Sequence, residues 1–326
     1  MQVLVLTAGL GTRLRPHTFS KPKPLVNVAG KPMLAHVLDS LPPLAIDDLV
    51  FVTGYLGNQV EEFVKREYNY HTRFIEQTEL RGQAHAIYLT REVVSGPVLI
   101  VFGDGIFGAD MSKLNRPTSE GVIFVQEVED PRRFGVAVLN DEGHITRLIE
   151  KPNEPVSNLA VIGVYYIPEA ERLFQAIEYI MERNIQTKNE FFLADALQVM
   201  IDNGEQFKTE QVKVWKDCGT PSALLDTNRY LLQNGRSYVG NLSQSIVIPP
   251  VYISDTAHIE NSVIGPYVSV AAGAKVCDSR IRDSIINSGA HIKTVTLHNS
   301  LIGADAYVEG SFQDLNVGDS SDIRFS

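Results

Sequence analysis

An apolar run, Val3 to Leu6, gives way to Thr7, Ala8, Gly9, Leu10, Gly11 and Thr12. Small residues at this spacing leave backbone N–H groups uncovered, so phosphate oxygens can approach them closely. Arg13 follows at once, and Lys23 comes later inside the run PKPL. The planar guanidinium of Arg13 can grip two phosphate oxygens, while the Lys23 ammonium supplies a point charge where negative charge builds on phosphorus. Pro16, Pro22, Pro24 and Pro32 stiffen the chain that carries them. Residues 1 to 38 hold Arg13, Arg15, Lys21, Lys23 and Lys31 and no acid; Asp39 is the first. In a chain of net charge -10 and pI near 5.3, an all-cationic opening has a local reason to attract an anion.

Two familiar glycine motifs do not fit this loop. A dinucleotide fingerprint would place a third glycine where Leu14 stands, with an acid some 20 positions on, where this chain offers cations. A Walker A loop would end in Gly-Lys-Ser/Thr, which does not follow here.

Carboxylates for a metal come from two other places. The run VLIVFGD is an apolar strand ending at Gly103 and Asp104, which sets a carboxylate at the carboxyl edge of a sheet, where open α/β folds bind ligands. Asp217 lies in VWKDCGTPSALL, just before a helical pattern. Mg²⁺ commonly takes one or two carboxylates and completes its shell with water and substrate phosphates.

The stretch AGLGTRLRPHTFSKPKPLVNVAGKPML resembles the signature of the sugar-phosphate nucleotidyltransferase family, closest to its glucose-1-phosphate thymidylyltransferases and their uridylyl relatives, and the likeness runs along nearly the whole first domain. It implies that Ala8, Gly9, Gly11, Thr12 and Arg13 bind a nucleoside triphosphate, that Arg13 and Lys23 are catalytic, and that Asp104 and Asp217 hold Mg²⁺. The family often has Asn after this first aspartate, whereas Gly105 stands here. In FIEQTELRGQAHAI, Gln77 aligns with the glutamine that reads a pyrimidine and Gly82 with the glycine that lets the base lie against the backbone. An amide matches the O4 and N3–H edge of thymine or uracil alike, and the methyl that separates them is worth only about 1 kcal/mol. His85 reads as a packing residue. On the sugar side the resemblance assigns Gly135 in RRFGVAV, Glu150 and Lys151 in LIEKP, and Val161 and Tyr165 in SNLAVIGVYY, with Glu190 a further candidate.

The implied reaction is in-line attack by a sugar 1-phosphate, with glucose 1-phosphate expected, on the α-phosphate of dTTP or UTP, expelling pyrophosphate. A phosphate nucleophile is already ionised at neutral pH, so positioning and charge neutralisation suffice without a general base.

The elements that must position these residues follow from the wider pattern. At 326 residues two domains are expected. From residue 1 to about 236, short apolar runs such as Leu49 to Thr53 alternate with helical patterns such as Asn58 to Glu67, the mark of a Rossmann-like α/β domain. Later strands near Val122, Val136, Ile145 and Ala160 come with few helices between them, so the sheet should be mixed and mostly parallel. Residues 237 to 244 read as a linker. From 245 to 326 the rhythm changes: Ile253, Ile259, Ile264, Val270, Val276, Ile281, Ile286, Ile292, Leu297, Ile302 and Val308 follow one another at five or six residues. A chain winding round a triangular prism makes that pattern, three steps to a coil of 16 or 17 residues. Gly265, Ala272, Gly289 and Gly303 are expected at its corners. It resembles the hexapeptide-repeat family, which implies a left-handed β-helix, here of four to five coils.

We read that domain as a means of oligomerisation or a packing platform, with a homo-oligomer expected and its open end capped by the terminal GSFQDLNVGDSSDIRFS. An acyltransferase using His258, His291 or His298 is the alternative. A regulatory subunit would be expected to have lost the loop cations or the aspartates, and all are present. The acidic balance argues against a nucleic-acid surface, and no run approaches the roughly 20 apolar residues of a membrane span. The two cysteines, Cys218 and Cys277, suggest neither a disulfide framework nor a zinc site, which fits a cytoplasmic protein.

Overall fold

Val3 and Val5 of the first strand pack into one hydrophobic cluster and Leu4 into another, and all three are buried. That alternation, in a computed structural model describing residues 1–41, 44–115, 118–240 and 242–311, shows a central sheet covered on both faces. The elements run β1 Gln2–Leu6, α1 Met33–Leu38, β2 Leu49–Thr53, α2 Gly57–Glu67, β3 Thr72–Glu76, α3 Gln83–Tyr88, β4 Val98–Phe102, β5 Gly105–Gly108 and β6 Gly121–Glu127. They continue with β7 Gly135–Leu139, β8 Ile145–Glu150, β9 Leu159–Ile167, α4 Ala170–Glu182, α5 Leu193–Asp202, β10 Phe207–Gln211, β11 Val214–Asp217 and α6 Pro221–Leu231.

The sheet order is β8-β7-β9-β4-β1-β2-β3, with β6 between β9 and β10. Strands β4, β1, β2 and β3 are parallel, and β9 enters antiparallel to β4, giving the mixed, Rossmann-like sheet expected. Helix α4 buries Leu173, Phe174, Ile177 and Ile180 at helical spacing on one cluster, and α2 buries Val60, Phe63 and Val64 in the other. Three of these strands were not legible in the sequence. β5 reads GIFG, β10 reads FKTEQ and β11 is the short VWKD, so none carries a long apolar run.

Two compact units emerge, one of residues 1–27 and 31–224, the other of 28–30 and 225 onward. The division therefore falls inside α6, upstream of the expected position near residue 236. Asn228 shows why: its buried side chain accepts from the Ala29 N–H at 3.0 Å and the Ser269 hydroxyl at 2.5 Å, and donates to the Tyr267 carbonyl at 3.2 Å. Those bonds hold the last turns of α6 to the second unit. Residues 238–239 also pair with 252–253, so the first coil begins inside the stretch expected to be a linker.

The second unit is a parallel β-helix of three faces, matching the left-handed form expected. Its interior consists of stacked ladders: Ile253, Val270, Ile286 and Ile302; Ile259, Val276, Ile292 and Val308; Ile264, Ile281 and Leu297. Nine-tenths or more of each is buried from Ile253 to Ile292, while Leu297, Ile302 and Val308 are only partly covered. The corners use a wider set of residues than the small ones expected. Gly265 and Gly289 do turn with positive φ, but so do Asn261, Asp278 and Thr294 at one corner and Tyr267, Asp283 and Asn299 at another, while Ala272 and Gly303 do not. A hydroxyl ladder adds to one edge, as Ser245 accepts from the Ser262 N–H, Ser262 from the Ser279 N–H and Ser279 from the Val295 N–H. From Phe312 the expected C-terminal cap lies outside the described residues.

The histidines singled out as acyl-transfer bases are exposed on the outside of the β-helix. His258 pairs with Glu260 at 3.3 Å, His298 lies 3.6 Å from Asp283, and the His291 ring is 6.4 Å from that of Tyr307.

Candidate active site

The glycine loop leaves β1 at the carboxyl edge of the sheet, where Thr7 donates its hydroxyl to the Val52 carbonyl. Gly11 turns with φ +62, and a Cβ there would stand 2.9 Å from the Cβ of Lys23. Glycine at this point thus lets the loop fold onto the Lys23 stem, and the Thr18 hydroxyl ties the fold by donating to the Gly11 carbonyl. Around Gly9 the space a Cβ would occupy is open.

Lys23 is 7% exposed, and its Nζ reaches Asp104 Oδ2 at 2.5 Å. Burial pulls the ammonium pKa down, but Asp104, with help from Asp217, outweighs it and holds the pKa above the usual lysine value. The two aspartates approach through strand register. Asp104 immediately precedes β5, which pairs antiparallel with β11 so that Gly105 stands opposite Asp217. Arg13 joins them: a Cβ on Gly219 would lie 2.9 Å from its Nη2 and 3.0 Å from Asp217 Oδ1, so both side chains lie over that glycine. The space beside Gly105 is bordered by Trp215 Nε1, 3.5 Å from where its Cβ would be.

Gln77 is buried at the end of β3, its N–H donating to the Thr53 carbonyl. Its side-chain Nε2 lies 3.1 Å from the Gly82 carbonyl and 3.1 Å from His85 Nδ1. A carbonyl only accepts, so the amide nitrogen must face it. Burial, then the charge of Arg81, lowers the His85 pKa, keeping the imidazole neutral and Nδ1 able to accept. Both amide hydrogens are thereby engaged, and Oε1 is the amide's remaining function. His85 is more than the packing residue expected, for it orients Gln77. Gly82 serves its own fold too. With φ +108, its missing Cβ would fall 2.5 Å from the Phe191 carbonyl oxygen, so the 190–192 segment packs directly on it.

Glu150 ends β8 and Lys151 follows it, and the two side chains pair at 3.1 Å. Burial raises the Glu150 pKa against the pull of Lys151. A Cβ on Gly135, its partner in register, would come within 2.9 Å of Glu150 Oε2, so this glycine keeps the carboxylate accessible. The Lys151 ammonium lies 4.8 Å from the Phe192 ring centre. Tyr165 is buried against Phe102, with ring centres 5.9 Å apart, and burial holds its phenol well above the usual value.

These residues line two adjoining cavities. One, of about 360 Å³, is bounded by Ala8, Gly9, Gly11, Thr12, Gln77 and Gly82, with Glu190 here and not beside Glu150 as expected. The other, of about 500 Å³, holds Arg13, Gly135, Glu150, Lys151, Val161, Tyr165 and Asp217. Lys23, Asp104, Gln83 and Phe102 line both. Every residue singled out in the sequence for the nucleotide, the sugar phosphate or the metal borders one of the two. Missed were Phe102, Gln83, Trp215 and Gly163. Gly163 has φ +83 in a bulge of β9 and makes room for the Phe102 ring, which a Cβ would meet at 2.8 Å. A glycine interrupting the β-branched run of β9 was the available signal.

A family profile described as nucleotidyl transferase matches residues 2–234. The glucose-1-phosphate thymidylyltransferase of Streptomyces antibioticus is 30% identical over an alignment of 359 positions covering 99% of each chain. The UTP–glucose-1-phosphate uridylyltransferase of Haloferax volcanii is 34% identical, across 68% of this chain and 92% of its own. The bifunctional protein GlmU of Methanocaldococcus jannaschii is 32% identical, but the match takes in 76% of this chain and 59% of that relative. A crystal structure from Bacillus anthracis, described as a candidate glucose-1-phosphate thymidylyltransferase in complex with a sucrose, superposes with a TM-score of 0.62 at 26% identity, covering 74% of this chain and 97% of that one.

Proposed function

The chain belongs to the nucleotidyl transferase family, and from that premise we propose that it joins dTTP or UTP to a sugar 1-phosphate, with glucose 1-phosphate the first candidate, and releases pyrophosphate. The observation that carries this reading is the Lys23–Asp104 pair at the junction of two cavities, one walled by a glycine loop and an amide, the other by a half-buried carboxylate and a lysine.

In this proposal the triphosphate lies along Ala8, Gly9, Gly11 and Thr12, whose N–H groups receive its oxygens, while Arg13 neutralises its charge from the neighbouring cavity. Gln77 Oε1 accepts from the pyrimidine N3–H, and the base lies beside Gly82. Glu150 accepts from sugar hydroxyls, Lys151 holds the sugar phosphate, and Gly135, Val161 and Tyr165 shape the surrounding wall. The sugar phosphate oxygen attacks the α-phosphorus in line, with pyrophosphate leaving opposite. Lys23, which both cavities share, offsets the charge that builds on the α-phosphate oxygens. The hard carboxylate oxygens of Asp104 and Asp217, brought together by strand register, fit Mg²⁺, which when bound would supply further neutralisation of phosphate charge.

We further propose that the enzyme works in the cytoplasm and self-associates through its β-helix. Neither cysteine is in a disulfide, and no helix among the described residues is long and apolar enough to cross a membrane. The first coil leaves Tyr238, Val239, Leu242, Ile246 and Ile248 exposed, and light scattering would measure the assembly.

The deciding experiment is a pyrophosphate-release screen of dTTP, UTP, ATP, CTP and GTP against several sugar 1-phosphates. Release is expected with dTTP or UTP and only when a sugar 1-phosphate is present. Silence across every pairing, or release independent of sugar phosphate, would overturn the proposal.

A further inference from the structure

The outer face of the β-helix formed by residues 258–260, 275–277, 291–293 and 307–309 carries polar side chains that the nucleotidyl chemistry does not use. His258 and Glu260 sit two positions apart on one strand, so both project to the same side. Glu260 stands opposite Cys277 on the next coil. The ligand atoms of these three residues all lie within 4.8 Å of one another, and His258 Nε2 is already 3.3 Å from Glu260 Oε2.

We infer that His258, Glu260 and Cys277 form a zinc site. The donor set of one imidazole nitrogen, one carboxylate oxygen and one sulfur suits a borderline cation such as Zn²⁺ and not the hard Mg²⁺. Tetrahedral zinc, with bonds of about 2.0–2.3 Å, places its ligand atoms roughly 3.3–3.8 Å apart. The His258–Glu260 pair meets that spacing, and Cys277 needs a displacement on the order of 1 Å, within reach of a side-chain rotation. His258 is exposed and the other two are half-buried, so water can occupy the fourth position.

Two lysines flank the site. Lys293, opposite Cys277, is drawn away by Glu309 at 2.9 Å. Lys275, opposite His258, is exposed and can extend into solvent. A cysteine thiol carries its proton at neutral pH until a metal replaces it. Binding therefore releases that proton to solvent as the zinc–sulfur bond forms. A neutral imidazole, a carboxylate and a thiolate then balance the charge of the ion, which links one coil to the next.

Cobalt substitution tests this in the full-length protein with Mg²⁺ in excess. Co²⁺ should produce a thiolate-to-cobalt charge-transfer band at one equivalent per chain, displaced by one equivalent of Zn²⁺. Cys277→Ser should abolish the band, and His258→Gln and Glu260→Gln should each weaken cobalt binding at least tenfold, with pyrophosphate release unchanged in all three. The inference is overturned by the absence of a band in the parent protein or by a band that survives Cys277→Ser. It is equally overturned if the band is lost in Cys277→Ser but untouched by both glutamine variants, which would mean a thiol acting alone.

Discussion

In the β-helix each inward side chain stacks on a residue 16 or 17 positions away, as Ile253 does on Val270 and Val270 on Ile286. In the α/β unit the decisive contact, Lys23 to Asp104, spans 81 positions, and Asp217 comes to Gly105 through a strand pair. The first arrangement repeats one contact many times, so its stability is a sum of similar neighbour terms. The second is made once, from segments with no common period, so a single side chain there can abolish function while the fold persists. The two units should therefore fail in different currencies: the β-helix in stability and the α/β unit in turnover.

Lys23→Ala should break the comparison most visibly. If Lys23 faces the reacting phosphate as proposed, its loss should lower kcat about 10³-fold, while the melting temperature moves by only a few degrees; steady-state kinetics beside calorimetry would check both, and an active variant would refute the catalytic role. Ile281→Ala should do the reverse. A fully buried rung of the ladder is expected to cost about 2–5 kcal/mol, read as an earlier denaturation midpoint of the second unit, with kcat unchanged at a temperature where both units remain folded.

Asn228→Ala sharpens the contrast. Three bonds end on this buried amide, so about 1–3 kcal/mol should be lost through unpaired polar groups, again without a change in turnover. Glu150→Gln should raise the KM for the sugar 1-phosphate roughly tenfold with a smaller effect on kcat; an unchanged KM would remove Glu150 from the sugar site. The smallest effect is expected at His85. Its lowered pKa means the folded chain binds fewer protons than the unfolded one, so this contribution to stability is full above 6.5 and is lost as pH falls below it. Below that window the imidazolium no longer accepts from Gln77, and the KM for the triphosphate should rise a few-fold, a dependence that His85→Ala flattens.

The strand positions of the β-helix were legible because its period is carried by aliphatics that have one place to go, the interior of the prism. Its first coil was hidden because residues 237–244 lack that rhythm, and the partner of Asn228 was hidden because a buried amide inside a helix carries no signal of what it will meet. In the α/β unit the apolar runs of β1, β2 and β4 were legible for the same reason of burial on both faces. The short strands β5 and β11 were not, since they pair with each other in a two-stranded sheet of their own. Trp215 and Phe102 reach the cavities from an edge strand and from the end of a core strand, and neither position distinguishes a cavity wall from ordinary packing.

By itself, then, the order of residues determined the two architectures and the inventory of charged, small and amide groups available for phosphate chemistry, because hydrophobic period and side-chain type are local properties. Tertiary structure alone decided that the antiparallel pairing of β5 with β11 brings Asp217 beside Asp104. It also decided that Gly82 and His85 engage both hydrogens of the Gln77 amide, and that Lys23 belongs to two cavities at once. Each depends on which segments meet in space and at what register, which no single segment contains.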